Sequence, residues 1–210
     1  MNSKTATPTV YVVDDDLAVR QSLQWLIESV GIQVQTFESA SALLDREGSI
    51  EAGCLVVDVR LPGMSGLDLQ DRLRDRGCDS PVIIITGHGD VPVAIRAMKA
   101  GAFDFIEKPF SDQTLLDRIR EALEHDEDRR TRAVWVTRVH GWYQSLSPRE
   151  IEVMGLVVQG HLNKQIAGDL GLSHKTIEVH RAHVMEKMHA KSLADLVRMA
   201  VMLEQIASRA

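Results

Sequence analysis

With 210 residues, 44% of them hydrophobic and 26% charged, the chain has room for one medium and one small domain of ordinary globular composition. The net charge of −6 is spread unevenly: residues 1–124 hold twelve basic against twenty acidic side chains, and residues 125–210 hold twelve against ten, so the two parts should meet different partners. Cys54 and Cys78 lack metal-type spacing, which argues against a disulfide framework or zinc site, and no apolar run approaches the ~20 residues that span a bilayer; a cytoplasmic protein without a membrane partner is expected.

Residues 9–13 read as a short strand that ends in Asp14, Asp15 and Asp16, followed by apolar residues at helical spacing from Leu17 to Val30 and a stop at Gly31. Asp16 is read as the cap of that helix rather than as a ligand. A second strand is predicted over 34–37, and Ser39 caps the helix that carries Leu43 and Leu44. Residues 54–57 are apolar and lead into Asp58, after which Pro62, Gly63 and Gly66 break the chain. This is the pattern of a strand buried on both faces, with an aspartate at its carboxyl end. A helix from about Ser65 to Arg76 follows, then the β-branched run 81–86 ending in Thr86. Gly87 and Gly89 turn the chain into a helix closed by Gly101. Residues 102–106 form the fifth strand, which runs into Glu107, Lys108 and Pro109, and the last helix of this part begins near Ser111 and ends near Glu124.

Five strands alternating with five helices predict an α/β domain: a five-stranded parallel sheet with helices on both faces. Such a sheet gathers Asp14, Asp15, Asp58, Thr86 and Lys108 at the carboxyl edge of its strands, where open α/β sheets place their chemistry. Three carboxylates around one point repel one another unless a divalent cation or the lysine balances them, and hard oxygen donors suit Mg²⁺. With the charge balanced, Asp58 can attack a phosphoryl group while Lys108 neutralises its oxygens and the Thr86 hydroxyl donates a hydrogen bond.

Residues 9–124 resemble the receiver domain of bacterial two-component response regulators, a flavodoxin-like fold. The likeness rests on the acidic pair, on Asp58 with its Leu-Pro-Gly-Met-Ser-Gly loop, on the Thr-Gly turn and on Lys108-Pro109. The resemblance implies that Asp58 is the phospho-acceptor, that Asp14, Asp15, Asp58 and the Arg60 backbone carbonyl hold Mg²⁺, and that Lys108 contacts the phosphoryl group. It also implies that Thr86 and Phe105 form a switch pair and that the Lys108–Pro109 bond is cis. His88 is read as a solvated loop residue that could stack near the site.

Residues 125–143 begin with mixed charge and end with aromatics. They are predicted to be a helical linker with Asp126/Arg130 and Asp128/Arg132 pairs, interrupted at Gly141, and Trp135, Trp142 and Tyr143 are expected to anchor it by packing.

Ser147, Pro148 and Glu150 mark a helix start with a capping box. A short helix over 163–170 stops at Gly171, Ser173 caps a third helix to about Met188, and Ser192 caps a fourth, which together make a helix-turn-helix pattern. On the third helix, 100° per residue places Ile177, Val184 and Met188 inward and Lys175, Val179, Ala182 and Glu186 outward. Val179 suits a thymine methyl, Glu178 a cytosine amino group, and Lys164, Lys175, Thr176 and Arg181 suit phosphates. Residues 145–210 resemble the LuxR-type DNA-binding domain, and both halves together look like the FixJ branch of response regulators. The resemblance implies a receiver (1–124), a linker (125–143) and a DNA-binding domain (144–210). It further implies a sensor histidine kinase, double-stranded promoter DNA and RNA polymerase as partners, and a homodimer formed on phosphorylation. The rival readings are a DNA binder indifferent to phosphorylation and a phosphohydrolase that turns over through an aspartyl phosphate.

Overall fold

The computed structural model describes residues 7–46, 50, 52–87 and 91–207. Its compact units meet between Arg130 and Thr131. The first contains β1 (Thr9–Val13), α1 (Leu17–Glu28), β2 (Gln33–Phe37), α2 (Ala40–Leu44), β3 (Gly53–Asp58), α3 (Gly66–Asp75), β4 (Val82–Thr86), α4 (Val91–Lys99), β5 (Asp104–Glu107) and the start of α5 (Asp112–Gln144). All pairings are parallel and the strand order is β2-β1-β3-β4-β5, so the direction of winding reverses between β1 and β3. Asp14 follows the first of these strands and Asp58 ends the other, on either side of the crevice that this reversal opens.

Strand periodicity sorts the core into two layers. Tyr11, Val13, Leu55, Val57 and Ile84 pack with Leu43, Leu69, Leu73 and Ala97 of α2, α3 and α4. Their strand neighbours Val10, Val12, Cys54, Val56, Ile83 and Ile85 pack with Leu23, Ile27, Leu115 and Ile119 of α1 and α5. Burial between strand and helix pushes the Cys54 thiol up to about 12, and the nearby negative charge of Asp126 adds to the effect. Cys54 is therefore an inert core residue.

The fifth strand begins at Asp104 rather than at 102. Gly101, at φ +86°, ends α4, and the Ala102 amide is spent on the Ala97 carbonyl, so pairing with β4 starts only when Phe103 N–H donates to Val82.

The expected break at Gly141 does not occur: α5 continues through it to Gln144. A glycine inside a helix costs only about 1 kcal/mol relative to alanine, and Val139, Trp142 and Tyr143 pack on the core of the second unit on either side of it. Beyond residue 124, α5 keeps a tie to the sheet. Asp126 is fully buried, where its carboxylate accepts from the Gly53 amide at 3.0 Å and from Arg129 and Arg130 at 2.7 Å each. The expected Asp126/Arg130 i,i+4 pair forms, and its carboxylate also ties α5 to the start of β3. Asp128 and Arg132 stay exposed.

The second unit consists of the end of α5, α6 (Pro148–Val158), α7 (Asn163–Leu170), α8 (His174–Lys187) and α9 (Leu193–Ala207). Ser147 and Glu150 close the expected capping box, Gly171 ends α7 at φ +66°, and Ser173 caps α8 through the Thr176 amide. The core includes Val153, Met154, Val157, Ile166, Ile177, Val184, Met188 and Leu196. Trp142 and Tyr143 pack against it, and Trp135 meets Trp142 edge to face while staying 41% exposed.

Candidate functional site

The pocket at the carboxyl edge of the sheet is built from three strand ends. Asp58, buried at the last position of β3, places one carboxylate oxygen 2.8 Å from Lys108 Nζ and the other 2.5 Å from the Arg60 amide. Asp14, 3% exposed, accepts from the same ammonium at 3.0 Å and from the Asp16 amide at 2.9 Å. Lys108 therefore bridges two carboxylates. Burial pulls its pKa down, but the hydrogen bonds to Asp58 and Asp14 outweigh that and hold it above its ordinary value. It is a fixed positive charge.

Asp16 caps α1 through the amides of Ala18 and Val19, as expected, whereas Asp15 is exposed beside the pocket. Thr86 is buried at the end of β4, where its carbonyl accepts from the Lys108 amide at 2.7 Å. The Lys108–Pro109 bond is cis. Phe105 lies two residues before Glu107, the β5 partner of Thr86, and is half-buried against the layer formed by α3 and α4. His88 lies outside the described residues.

The donor set suits a hard divalent cation, since Asp14, Asp15, Asp58 and the Arg60 carbonyl offer only oxygen. Among the described residues no three acidic, histidine or cysteine side chains already converge on one point, and Lys108 does the neutralising between Asp14 and Asp58. Sequence reasoning missed Arg20, which donates to the Asp14 carbonyl at 2.7 Å from the second turn of α1.

In the second unit, α8 follows α7 in helix-turn-helix order. Its inward residues Ile177, Val184 and Met188 are fully buried, whereas Lys175, Val179, Ala182 and Glu186 are exposed, with Val179 at 47%. Lys164, on the first turn of α7, is exposed. Thr176 shares a hydrogen bond with Ser173 at the cap, Glu178 lies 3.4 Å from His174, and Arg181 donates to Asn163 at 3.0 Å, tying α8 to the start of α7. Glu150 does more than close its cap: it also accepts from Lys187 at 2.7 Å and lies 3.6 Å from His183, joining α6 to the far end of α8. The capping motif revealed only the local half of that role.

A parallel sheet with an acid-and-lysine pocket at its switch point, followed by a helix-turn-helix unit, defines a phosphoryl-accepting domain coupled to a DNA reader. Residues 10–120 match the response regulator receiver domain, and residues 144–200 match the LuxR family of bacterial regulatory proteins. Nodulation protein W of Bradyrhizobium diazoefficiens is 50% identical over 191 residues, which cover 91% of this chain and 84% of that protein. Transcriptional regulatory protein FixJ of Azorhizobium caulinodans is 48% identical over 193 residues, 92% of each chain. Among solved structures, the response regulator StyR is similar with a TM-score of 0.80 at 45% identity, covering 93% of this chain and 98% of that one. Full-length FixJ from B. japonicum gives 0.60 at 43% identity, covering 96% and 99%. The chain belongs to the FixJ-type response regulators, phosphorylation-dependent regulators of transcription that join a receiver to a LuxR-type DNA-binding domain. A receiver implies a sensor kinase as partner, a LuxR-type domain implies DNA, and receivers in general use Mg²⁺ for phosphorylation. No helix among the described residues is long and apolar enough to cross a membrane.

Proposed function

We propose that Asp58 accepts a phosphoryl group from a sensor histidine kinase and that this drives pairing of the chain on promoter DNA. The observation that carries the reading is the Lys108 ammonium held between Asp58 and Asp14 at the switch point of the sheet. A carboxylate oxygen of Asp58 forms a bond to phosphorus as the bond from phosphorus to the donor breaks and the electron pair leaves with the donor. Lys108 faces the developing charge on the phosphoryl oxygens, and the Thr86 hydroxyl donates to one of them. Asp14, Asp15, Asp58 and the Arg60 carbonyl would hold Mg²⁺, which when bound supplies further positive charge to the same oxygens.

Thr86 turning toward the phosphoryl group vacates the space that Phe105 then enters, which shifts a pre-existing equilibrium of the β4–β5 edge. The receiver occupies about 1–124, residues 125–143 act as linker, and 144–210 read DNA. On DNA, Val179, Ala182 and Glu178 face base edges, while Lys164, Lys175, Thr176 and Arg181 position the domain on phosphates. RNA polymerase is the downstream partner, and the cytoplasm is the compartment in which kinase, DNA and polymerase meet.

The test is the oligomeric mass of wild type and Asp58→Asn with Mg²⁺, before and after acetyl phosphate, with mass spectrometry to locate the phosphoryl group. Modification at Asp58 and a dimer in wild type alone is the expected result. Phosphorylation of Asp58 without any change in oligomeric state would replace pairing by another means of control, and absence of phosphorylation would remove the reading altogether.

A further inference from the structure

All four polar atoms of Asp14 are committed. Its amide donates to the Phe37 carbonyl at 3.2 Å, its two carboxylate oxygens accept from the Asp16 amide and from Lys108, and its carbonyl accepts from Arg20 Nη1 at 2.7 Å. Three of these partners are backbone groups or the pocket lysine. The fourth is a guanidinium that reaches back from α1 across an acidic turn. The Asp14 carbonyl belongs to the peptide unit that joins Asp14 to Asp15, and that unit is planar. Fixing its oxygen fixes the direction in which the chain presents Asp15, whose own carboxylate is exposed and has no buried framework to orient it.

We infer that Arg20 is a positioning residue for the metal-holding acids: its hydrogen bond to the Asp14 carbonyl sets the Asp14–Asp15 peptide so that both carboxylates serve one cation. The role rests on the pocket function proposed above. Charge and positioning predict opposite signs here. As a nearby positive charge, Arg20 opposes Mg²⁺, so its removal would tighten binding. As a clamp on the backbone it supports Mg²⁺, so its removal loosens binding. The guanidinium is only part-buried and its charge is screened, whereas the hydrogen bond acts on the ligand-bearing peptide itself, so positioning prevails.

The experiment titrates Mg²⁺ calorimetrically into the full chain as wild type, Arg20→Gln and Arg20→Lys, and follows phosphoryl incorporation from acetyl phosphate as Mg²⁺ is raised. Arg20→Gln is expected to raise the Mg²⁺ dissociation constant about tenfold. Arg20→Lys keeps a cationic donor and is expected to fall between Arg20→Gln and wild type. At saturating Mg²⁺ the phosphorylation rate of both variants returns toward that of wild type, since the clamp acts on the cation site and not on Asp58. Equal or tighter Mg²⁺ binding in either variant, with wild type binding and becoming phosphorylated normally, overturns the role of Arg20 alone. A wild type that binds no Mg²⁺ overturns the metal site and the clamp together. Arg20→Lys keeps the inference testable should Arg20→Gln fail to fold.

Discussion

Glu150→Gln tests how α8 is held against α6. The glutamate is 4% exposed, and its carboxylate is held at about 2 against an ordinary 4.5, first by the Lys187 hydrogen bond and then by the Ser147 amide, against the opposing effect of burial. That interval sets a ceiling of about 3 kcal/mol on what the charge contributes. The Lys187 side chain keeps 40% exposure, so solvent screening lowers the expectation to about 1–2 kcal/mol. Glutamine can still accept from the Ser147 amide, and the loss is therefore confined to the tie with α8. Trp142, whose ring lies 4.6 Å from that of His189 just beyond the end of α8, provides the signal: urea unfolding of the full chain followed by tryptophan fluorescence should show the second-unit transition at lower urea in the variant. The pH dependence carries the sign. The folded-state pKa is depressed, so the contribution is complete above about 4.5 and fades as pH falls toward about 2. The gap between wild type and variant should be full at pH 7 and begin to close below pH 5. Coincident transitions at pH 7, or a gap that widens on acidification, would refute the reasoning.

Three other perturbations address the rest of the molecule. A Cβ at Gly66 would lie 2.2 Å from the Asp58 carbonyl oxygen, so Gly66→Ala should cost about 2–3 kcal/mol and slow phosphorylation of Asp58; unchanged melting and phosphorylation rates would show that the loop yields freely. Asp126→Asn leaves Arg129 and Arg130 without their carboxylate and should destabilise the first unit by about 3 kcal/mol, with faster amide exchange near Gly53 and residues 126–130, whereas unaltered exchange would mean that the tie is not needed. Val179→Ala should lose about 1 kcal/mol for one A·T pair of the operator in competition binding and leave non-specific binding unchanged, and an equal loss on all sequences would place Val179 off the base edges.

The receiver half was legible because its chemistry is written in short runs. Acidic residues after a β-rich run, an aspartate after a buried strand and a lysine before proline fall at one edge of any right-handed parallel sheet, whatever the detailed packing. The outward face of α8 was legible for a similar reason, since 3.6-residue periodicity alone separates Val179 from Ile177. What escaped were ties between segments distant in sequence. Asp126 reads as an ordinary helix-surface residue because nothing local says that Gly53, 73 residues earlier, will present its amide there. Glu150 announced its cap three residues away and hid Lys187 at the far end of α8. Gly141 misled because propensity is local, whereas the packing of Val139, Trp142 and Tyr143 that carries the helix through it is tertiary.

The DNA-binding part is nearly balanced, with eight basic against seven acidic side chains over 144–210, and the structure shows how several of those cations are already engaged. Arg149 pairs with Glu152, Lys187 with Glu150 and Arg198 with Asp195, while Arg181 shares its guanidinium with Asn163. Lys164 on α7 and Lys175 on α8 are exposed, and they are the charges that the proposed reading sets against phosphates. Since the sequence-independent part of DNA affinity scales with the phosphates neutralised, a domain offering so few cations is expected to bind weakly as a single copy at physiological salt. A second copy held to the first turns the second set of contacts into an intramolecular event and raises affinity by orders of magnitude without any new contact type. On the function proposed above, a near-neutral reader is the kind of module that pairing can switch, because a strongly basic domain would bind DNA regardless of the state of Asp58.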